Sequence, residues 1–301
     1  MAVSLNGKSL RFEFTKIHGN ALLDIDFHRT LRVPDDGRNY PLPPSLGRFP
    51  LKAVDDLDSE TVPSHWRKRG GVAFPMWQSE ALWISFRALA NYPFAVKIAC
   101  GKINAITGEN WIPELDHANQ DYVVIPKQPW IDGFCVAPGR IRQFVAMPLD
   151  RGYTAEEQIT GEAEHGGIQV IVYPLKAEVY ERLEAARQER SGKVYSYSKV
   201  DMGLALGGNM RQKIYTSKYN ATDWADVSSK CFVSLTNSKF WEQISGNAPP
   251  TIPPFAADYN KFGLPWFEHY DDGQYLGGGE ALKKLQSVYE KQQRLEEFAL
   301  P

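Results

Sequence analysis

The stretch "WIDGFCVAPGRIRQFVAMPL", residues 130–149, constrains the fold more than any other. Two apolar runs flank Ala137-Pro138-Gly139-Arg140. Proline supplies a fixed φ there, and glycine a left-handed turn position. A short turn between two strands forces antiparallel pairing, because parallel strands need a long crossover. Other runs read as strands too: "SLRFEFTKI" alternates on Leu10, Phe12 and Phe14, and "GGIQVIVYPLK" is rich in β-branched residues. "PFAVKIACGKINAI", "QDYVVIP" and "KCFVSLTN" join them. Strands and helices do not alternate regularly, which argues against a doubly wound parallel sheet. The expected class is α+β, a mostly antiparallel sheet with packed helices.

Four helices are expected besides a short one that starts after Thr154. "SEALWISFRALANYP" (79–93) has Ser79 to cap it, Pro93 to stop it and apolar residues on nearly every side. "KAEVYERLEAARQERSGK" is amphipathic on Val179, Leu183 and Ala186, with Gly192 to end it. "SKFWEQIS" is short. "GGEALKKLQSVYEKQQRLEEFA" reads as one long C-terminal helix with Leu282, Leu285 and Leu295 on its seam. Two proline-rich segments, "VPDDGRNYPLPPSLGRFP" and "NAPPTIPPFAADYNKFGLPWF", read as surface straps, since proline is excluded from central strands. Pro41 and Pro44 make a P-x-x-P, for which a strap is favoured over an SH3-type ligand. The division that follows is a single α+β domain over 1–277 and a C-terminal helix over 278–301, packed on it or projecting.

Composition narrows the function classes. The chain has 301 residues and a formal charge of -2, too small to draw in nucleic acid or a membrane over long range. Cys100, Cys135 and Cys231 are odd in number and far apart, so neither a disulfide framework nor a cysteine zinc site is expected. The start of the chain lacks the pattern of a secretory signal, and no run approaches a membrane span, so the location expected is cytoplasmic.

Chemistry is sparse. "AEEQITGEAEHGG" (155–167) holds four glutamates and one histidine. Thr154 with Glu157 forms a Thr-x-x-Glu capping box, Glu156 suits the dipole of the first turn, and Gly161 ends the helix. Glu162, Glu164 and His165 remain as candidate catalytic groups. If the backbone is extended, the two glutamates share a face and His165 points to the other, so Glu164 is poorly placed to orient His165. A carboxylate from elsewhere, Asp132, would then serve. The paired glutamates could do acid–base work or join a third ligand on a divalent cation; the bland alternative is a solvated bend. Gly207-Gly208-Asn209 reads as a hairpin turn, or with Arg211 as an anion-binding nest of Gly207, Gly208 and Arg211. Cys135 reads as a small buried core residue. No metal, cofactor or substrate can be named.

Five strings, "RVPDDGRNYPLPPSLGRFPL", "YPFAVKIACGKINAITGE", "QDYVVIPKQPWIDGFCVAPGRIRQFVAMPL", "GYTAEEQITGEAEHGG" and "GLPWFEHYDD", together resemble a family of uncharacterised bacterial and fungal proteins. The resemblance implies one continuous domain and transfers no site. The functional expectation is a cytosolic protein with a pocket for a small polar molecule, an enzyme if Glu162, Glu164, His165 and Asp132 converge. The alternative is a non-catalytic protein–protein interaction or scaffold protein.

Overall fold

A computed structural model describes residues 2–187, 203–252, 276 and 278–299. Gly192 and the second proline strap from 253 onward lie outside the described residues.

Among the described residues the strands form two sheets. The first runs in the spatial order β1 (Ala2–Asn6), β2 (Ser9–Glu13), β3 (Leu22–Thr30), β6 (Ala81–Ala88), β12 (Arg140–Met147) and β11 (Gly133–Ala137). Beside this path, β10 (Trp130–Ile131) pairs with β6, and β14 (Gly203–Met210) with β12. The second runs β4 (Lys52–Ala53), β5 (Val72–Met76), β15 (Ser229–Asn237), β13 (Ile168–Pro174), β7 (Phe94–Cys100) and β8 (Ile103–Asn104). There β9 (Val123–Ile125) pairs with β7. Strand pairs are antiparallel, apart from β5 beside β15. The hairpin of β11 and β12 forms as its sequence indicates, with Ala137 opposite Arg140 and Gly139 at φ 67°.

The sheets face each other because alternate residues are apolar. Leu23, Ile25 and Phe27 of β3 and Leu82, Ile84 and Phe86 of β6 enter one core with Phe94, Val96 and Ile98 of β7 and Val170 and Val172 of β13. The Phe27 and Phe74 rings stand 5.1 Å apart, and those of Phe14 and Phe94 6.1 Å, so aromatic contacts bridge the layers. Truncating one such ring to alanine costs about 3–5 kcal/mol.

Three elements differ from their sequence reading. Residues 79–93 are not a helix but the central strand β6, followed by a short 3-10 turn at Leu89–Asn91. Ala81 and Trp83 share the outer face with Ser85 and Arg87, which blurs the period of two against Leu82, Ile84 and Phe86. Here Trp83 stacks on His28 on the outer face, 3.6 Å between ring centroids, while Leu82, Ile84 and Phe86 face the core. Gly207-Gly208 is not a hairpin turn, because β14 runs through it. Phe144 pairs with Leu206 and Arg142 with Asn209, so the two glycines oppose the single residue Gln143 in a β-bulge. A Cβ on Gly207 would lie 2.7 Å from Val145 Cγ2, so the glycine permits close packing. The C-terminal segment breaks into α5 (Glu280–Lys283) and α6 (Val288–Ala299). Ser287 starts α6: its Oγ accepts from the Glu290 amide, and Glu290 Oε2 accepts from the Ser287 amide, a second capping box. Leu282, Leu285 and Val288 are buried.

The first strap is anchored rather than free. Val33, Leu42 and Phe49 are buried, and Thr30 Oγ1 donates to the carbonyls of Pro43 and Pro44, both at 3.2 Å. The backbone between Pro41 and Pro44 is therefore committed to this fold.

A small third layer positions the site. On the outer face of the second sheet, Trp66 of α1 (Ser64–Arg69) and Trp241 and Ile244 of α4 (Ser238–Ser245) cluster with Ala73 of β5. Asn237 Oδ1 caps α4 by accepting from the Lys239 amide at 3.0 Å. Among the described residues no helix is long and apolar enough to cross a membrane.

Candidate functional site

The Thr154–Gly167 segment answers for most of its own charge. Thr154 and Glu157 close a capping box at the start of α2 (Ala155–Thr160), and Gly161 ends it in the left-handed conformation. Glu157 also accepts from the amides of Arg151 and Gly152, both at 2.8 Å. Burial opposes its ionisation, but the bonds from Thr154, Gly152 and Arg151 prevail and hold its pKa below the ordinary value. Glu156, assigned above to the helix dipole, has a larger task. It is 3% exposed, and its carboxylate accepts from three successive amides: Glu164 (3.1 Å), His165 (2.7 Å) and Gly166 (2.8 Å). One buried anion thus gathers the whole bend.

That bend places His165. Gly166 and Gly167 both stand in the left-handed region, at φ 56° and 59°, so the chain is curled rather than extended. The curl brings Glu164 Oε2 to 3.3 Å from His165 Nε2 with no hydrogen bond between them, so Glu164 stands beside the ring and remains poorly placed to orient it. Arg69, at the end of α1, holds the other side. Its Nη2 donates to His165 Nδ1 at 3.1 Å, and its Nη1 to the His165 carbonyl at 3.1 Å. Guanidinium can only donate, so Nδ1 carries the lone pair and Nε2 the proton. Burial, aided by Lys102, lowers the His165 pKa and favours the neutral ring. In this state the imidazole presents a hydrogen-bond donor, because its basic nitrogen is occupied by Arg69.

Two concavities meet at His165. The smaller, about 160 Å³, is charged: Lys102, Glu156, Glu162, Glu164 and His165 line it, with Trp111. The two predicted glutamates and the predicted histidine therefore converge. The larger, about 430 Å³, lies on the other side. Its floor is one face of β15, where Phe232, Ser234 and Thr236 recur with the strand period of two. Helix α4 adds Phe240, Gln243 and Ile244, and the α1 region adds Pro63, His65 and Trp66. Met147, Pro148 and Leu149 close it beside Gly166 and Gly167.

Asp132 does not join this group. It sits between β10 and β11, in the other sheet, and lines a cavity of about 10 Å³ with Trp130, Gln212 and Arg211. Asp132 is 1% exposed, and neither carboxyl oxygen makes a hydrogen bond of normal geometry, Trp130 and Gln212 standing nearby. Burial pushes its pKa well above the ordinary carboxylate range, which the neighbouring Trp130 and Gln212 only partly oppose. The residue expected to support His165 is a separate buried acid. The glycine nest is overturned too, since Gly207 and Gly208 are a bulge inside β14, while Arg211 follows that strand and donates its amide to Tyr40. Asp132 and Arg211, assigned to different sites from sequence, share one cavity instead. Cys135 is buried in β11, and burial raises its thiol to about 12, leaving it without thiolate character near neutral pH.

Nothing in the sequence around Arg69 ties it to the 155–167 segment, from which it is far removed along the chain. Sequence reasoning also missed the Ser234 face. The signal was present in "KCFVSLTN", where Phe232, Ser234 and Thr236 alternate with Cys231, Val233 and Leu235. Among the described residues no group of three or more His, Cys, Asp and Glu stands in an arrangement that would hold a metal ion. Comparison with protein-family models, with curated proteins and with solved structures finds no match for this chain.

Proposed function

We propose that this protein binds a small molecule in the cleft floored by β15, with His165 as the polar wall between that cleft and the charged cavity. The observation that carries the reading is the fixed imidazole. His165 is held by Arg69 through its ring Nδ1 and its carbonyl, in one tautomer, at the junction of two concavities. Holding a ring this way orders side chains at an entropic cost, which a binding site recovers by presenting a preset donor. A mostly apolar concavity of several hundred Å³ with a few converging polar groups is the usual form of a small-ligand site. The occupied Nδ1 favours recognition over proton abstraction, so binding takes precedence over the acid–base enzyme. Placement in a reducing compartment such as the cytoplasm belongs to the same proposal, and three buried free thiols support it.

The test is mass spectrometry of co-purified small molecules under native conditions, on wild type, Glu164→Gln and His165→Ala. Wild type should retain a ligand that His165→Ala releases, with both variants folded and of unchanged or raised melting temperature. Equal retention by all three proteins would remove His165 from the site.

A further inference from the structure

We infer that the cleft takes an uncharged molecule with an aromatic or aliphatic body, and that Ser234 sets its specificity by hydrogen-bonding one polar group of that ligand. The inference rests on the cleft being the binding site.

Ser234 carries the argument. It lies in the middle of β15, is 1% exposed, and its Oγ has no hydrogen-bond partner. Val233 points to the core and Leu235 packs against it while also reaching the cleft, and Ser234 lines the cleft between Phe232 and Thr236. Leaving a buried hydroxyl unsatisfied costs about 1–3 kcal/mol, and alanine or valine would fit the strand without that cost. A ligand group in the cleft would satisfy the hydroxyl, which can both donate and accept.

The rest of the lining sets the charge. Among the described residues the cleft is walled by aromatic, aliphatic, hydroxyl, amide and imidazole side chains, with no carboxylate, ammonium or guanidinium. Burial, with Arg69 nearby, lowers the His65 pKa, and His165 is lowered as well, so both rings favour the neutral form. The nearest charge, Arg69, does not line the cleft and is engaged with His165 and the Phe232 ring, so a charged ligand would find no free counter-charge on the cleft wall, and burying an unpaired charge is costly. An uncharged one meets Trp66, Phe232 and Phe240 with its body and Ser234 with its polar group.

Three probes of nearly one shape separate the possibilities: benzamide, benzoate and benzamidinium, followed by ligand-observed NMR and by tryptophan fluorescence. Benzamide should bind at least about tenfold more tightly than either ion. Ser234→Ala should weaken benzamide about threefold to tenfold, the range of one neutral hydrogen bond, without lowering the melting temperature. Thr236→Phe, which fills the cleft from the same strand face, should abolish binding. Benzoate or benzamidinium binding as tightly as benzamide would overturn the inference about charge and leave the cleft as the site. Full-strength benzamide binding by Ser234→Ala would overturn the role of Ser234. Failure of all three probes, or benzamide binding that survives in folded Thr236→Phe, would overturn the cleft reading itself.

Discussion

Asp132→Asn should stabilise the protein, and the gain should grow with pH. Asp132 is 1% exposed, neither carboxyl oxygen makes a hydrogen bond of normal geometry, and burial raises its pKa well above the ordinary value. The unfolded chain ionises this group near a pKa of about 3.9. Below that value both states hold the proton and burial carries no ionic cost. Above it the unfolded state gives up its proton while the folded state keeps it, so wild type loses up to about 1.4 kcal/mol per pH unit until the folded pKa is passed. Asparagine matches the shape and does not titrate. Urea unfolding of both proteins from pH 4 to pH 8 should therefore show curves that diverge as pH rises, with the variant ahead. Parallel curves would mean that the group titrates normally. A wild type that gains on the variant with rising pH would mean an ionised, paired carboxylate, and either result refutes the argument.

Glu156→Gln should cost about 2–3 kcal/mol, because one oxygen is replaced by a donor facing the three amides of 164–166, whereas the exposed Glu162→Gln should change stability by less than about 0.5 kcal/mol; denaturant unfolding measures both, and faster hydrogen exchange at Gly166 should accompany the first alone. Thr154→Ala removes half a capping box and should cost about 1 kcal/mol. Because bonds to Glu157 hold its pKa low, that carboxylate stabilises the fold above its unfolded pKa; its contribution should fade on acidification through that value and below, a loss absent from Glu157→Gln.

How much of this was legible depends on how local each signal was. The capping box at Thr154 and Glu157 and the hairpin at Pro138-Gly139 are complete within a few residues, and they form as read. The box at Ser287 and Glu290 was equally local, but a helical seam running across 278–299 masked it. Residues 79–93 misled because Ala81 and Trp83 share the strand face of Ser85 and Arg87 and so hide the alternation with Leu82, Ile84 and Phe86. Gly207-Gly208 has turn composition, yet its role depends on Val145 and Gln143 of a strand sixty residues earlier in the chain (~60 by numbering). At the site, Glu162, Glu164 and His165 were found because sequence keeps them together. Arg69, nearly a hundred residues upstream (~100 by numbering), and Ser234 were not, because only the packing of α1 and β15 brings them there. Asp132 was chosen for its chemistry alone, and the two-sheet topology separates it from His165.

The central question is where a small molecule binds. Chemical-shift mapping answers this directly: backbone amide resonances assigned on the full chain, followed during titration with benzamide and then with a library of uncharged fragments. Perturbations should concentrate at Phe232–Asn237, His165–Gly167 and the α4 residues Phe240–Ile244, which line the cleft. Perturbations confined to other surfaces, such as the basin of Arg11, Asp24 and Arg87 on the first sheet, would contradict the assignment of the cleft as the site.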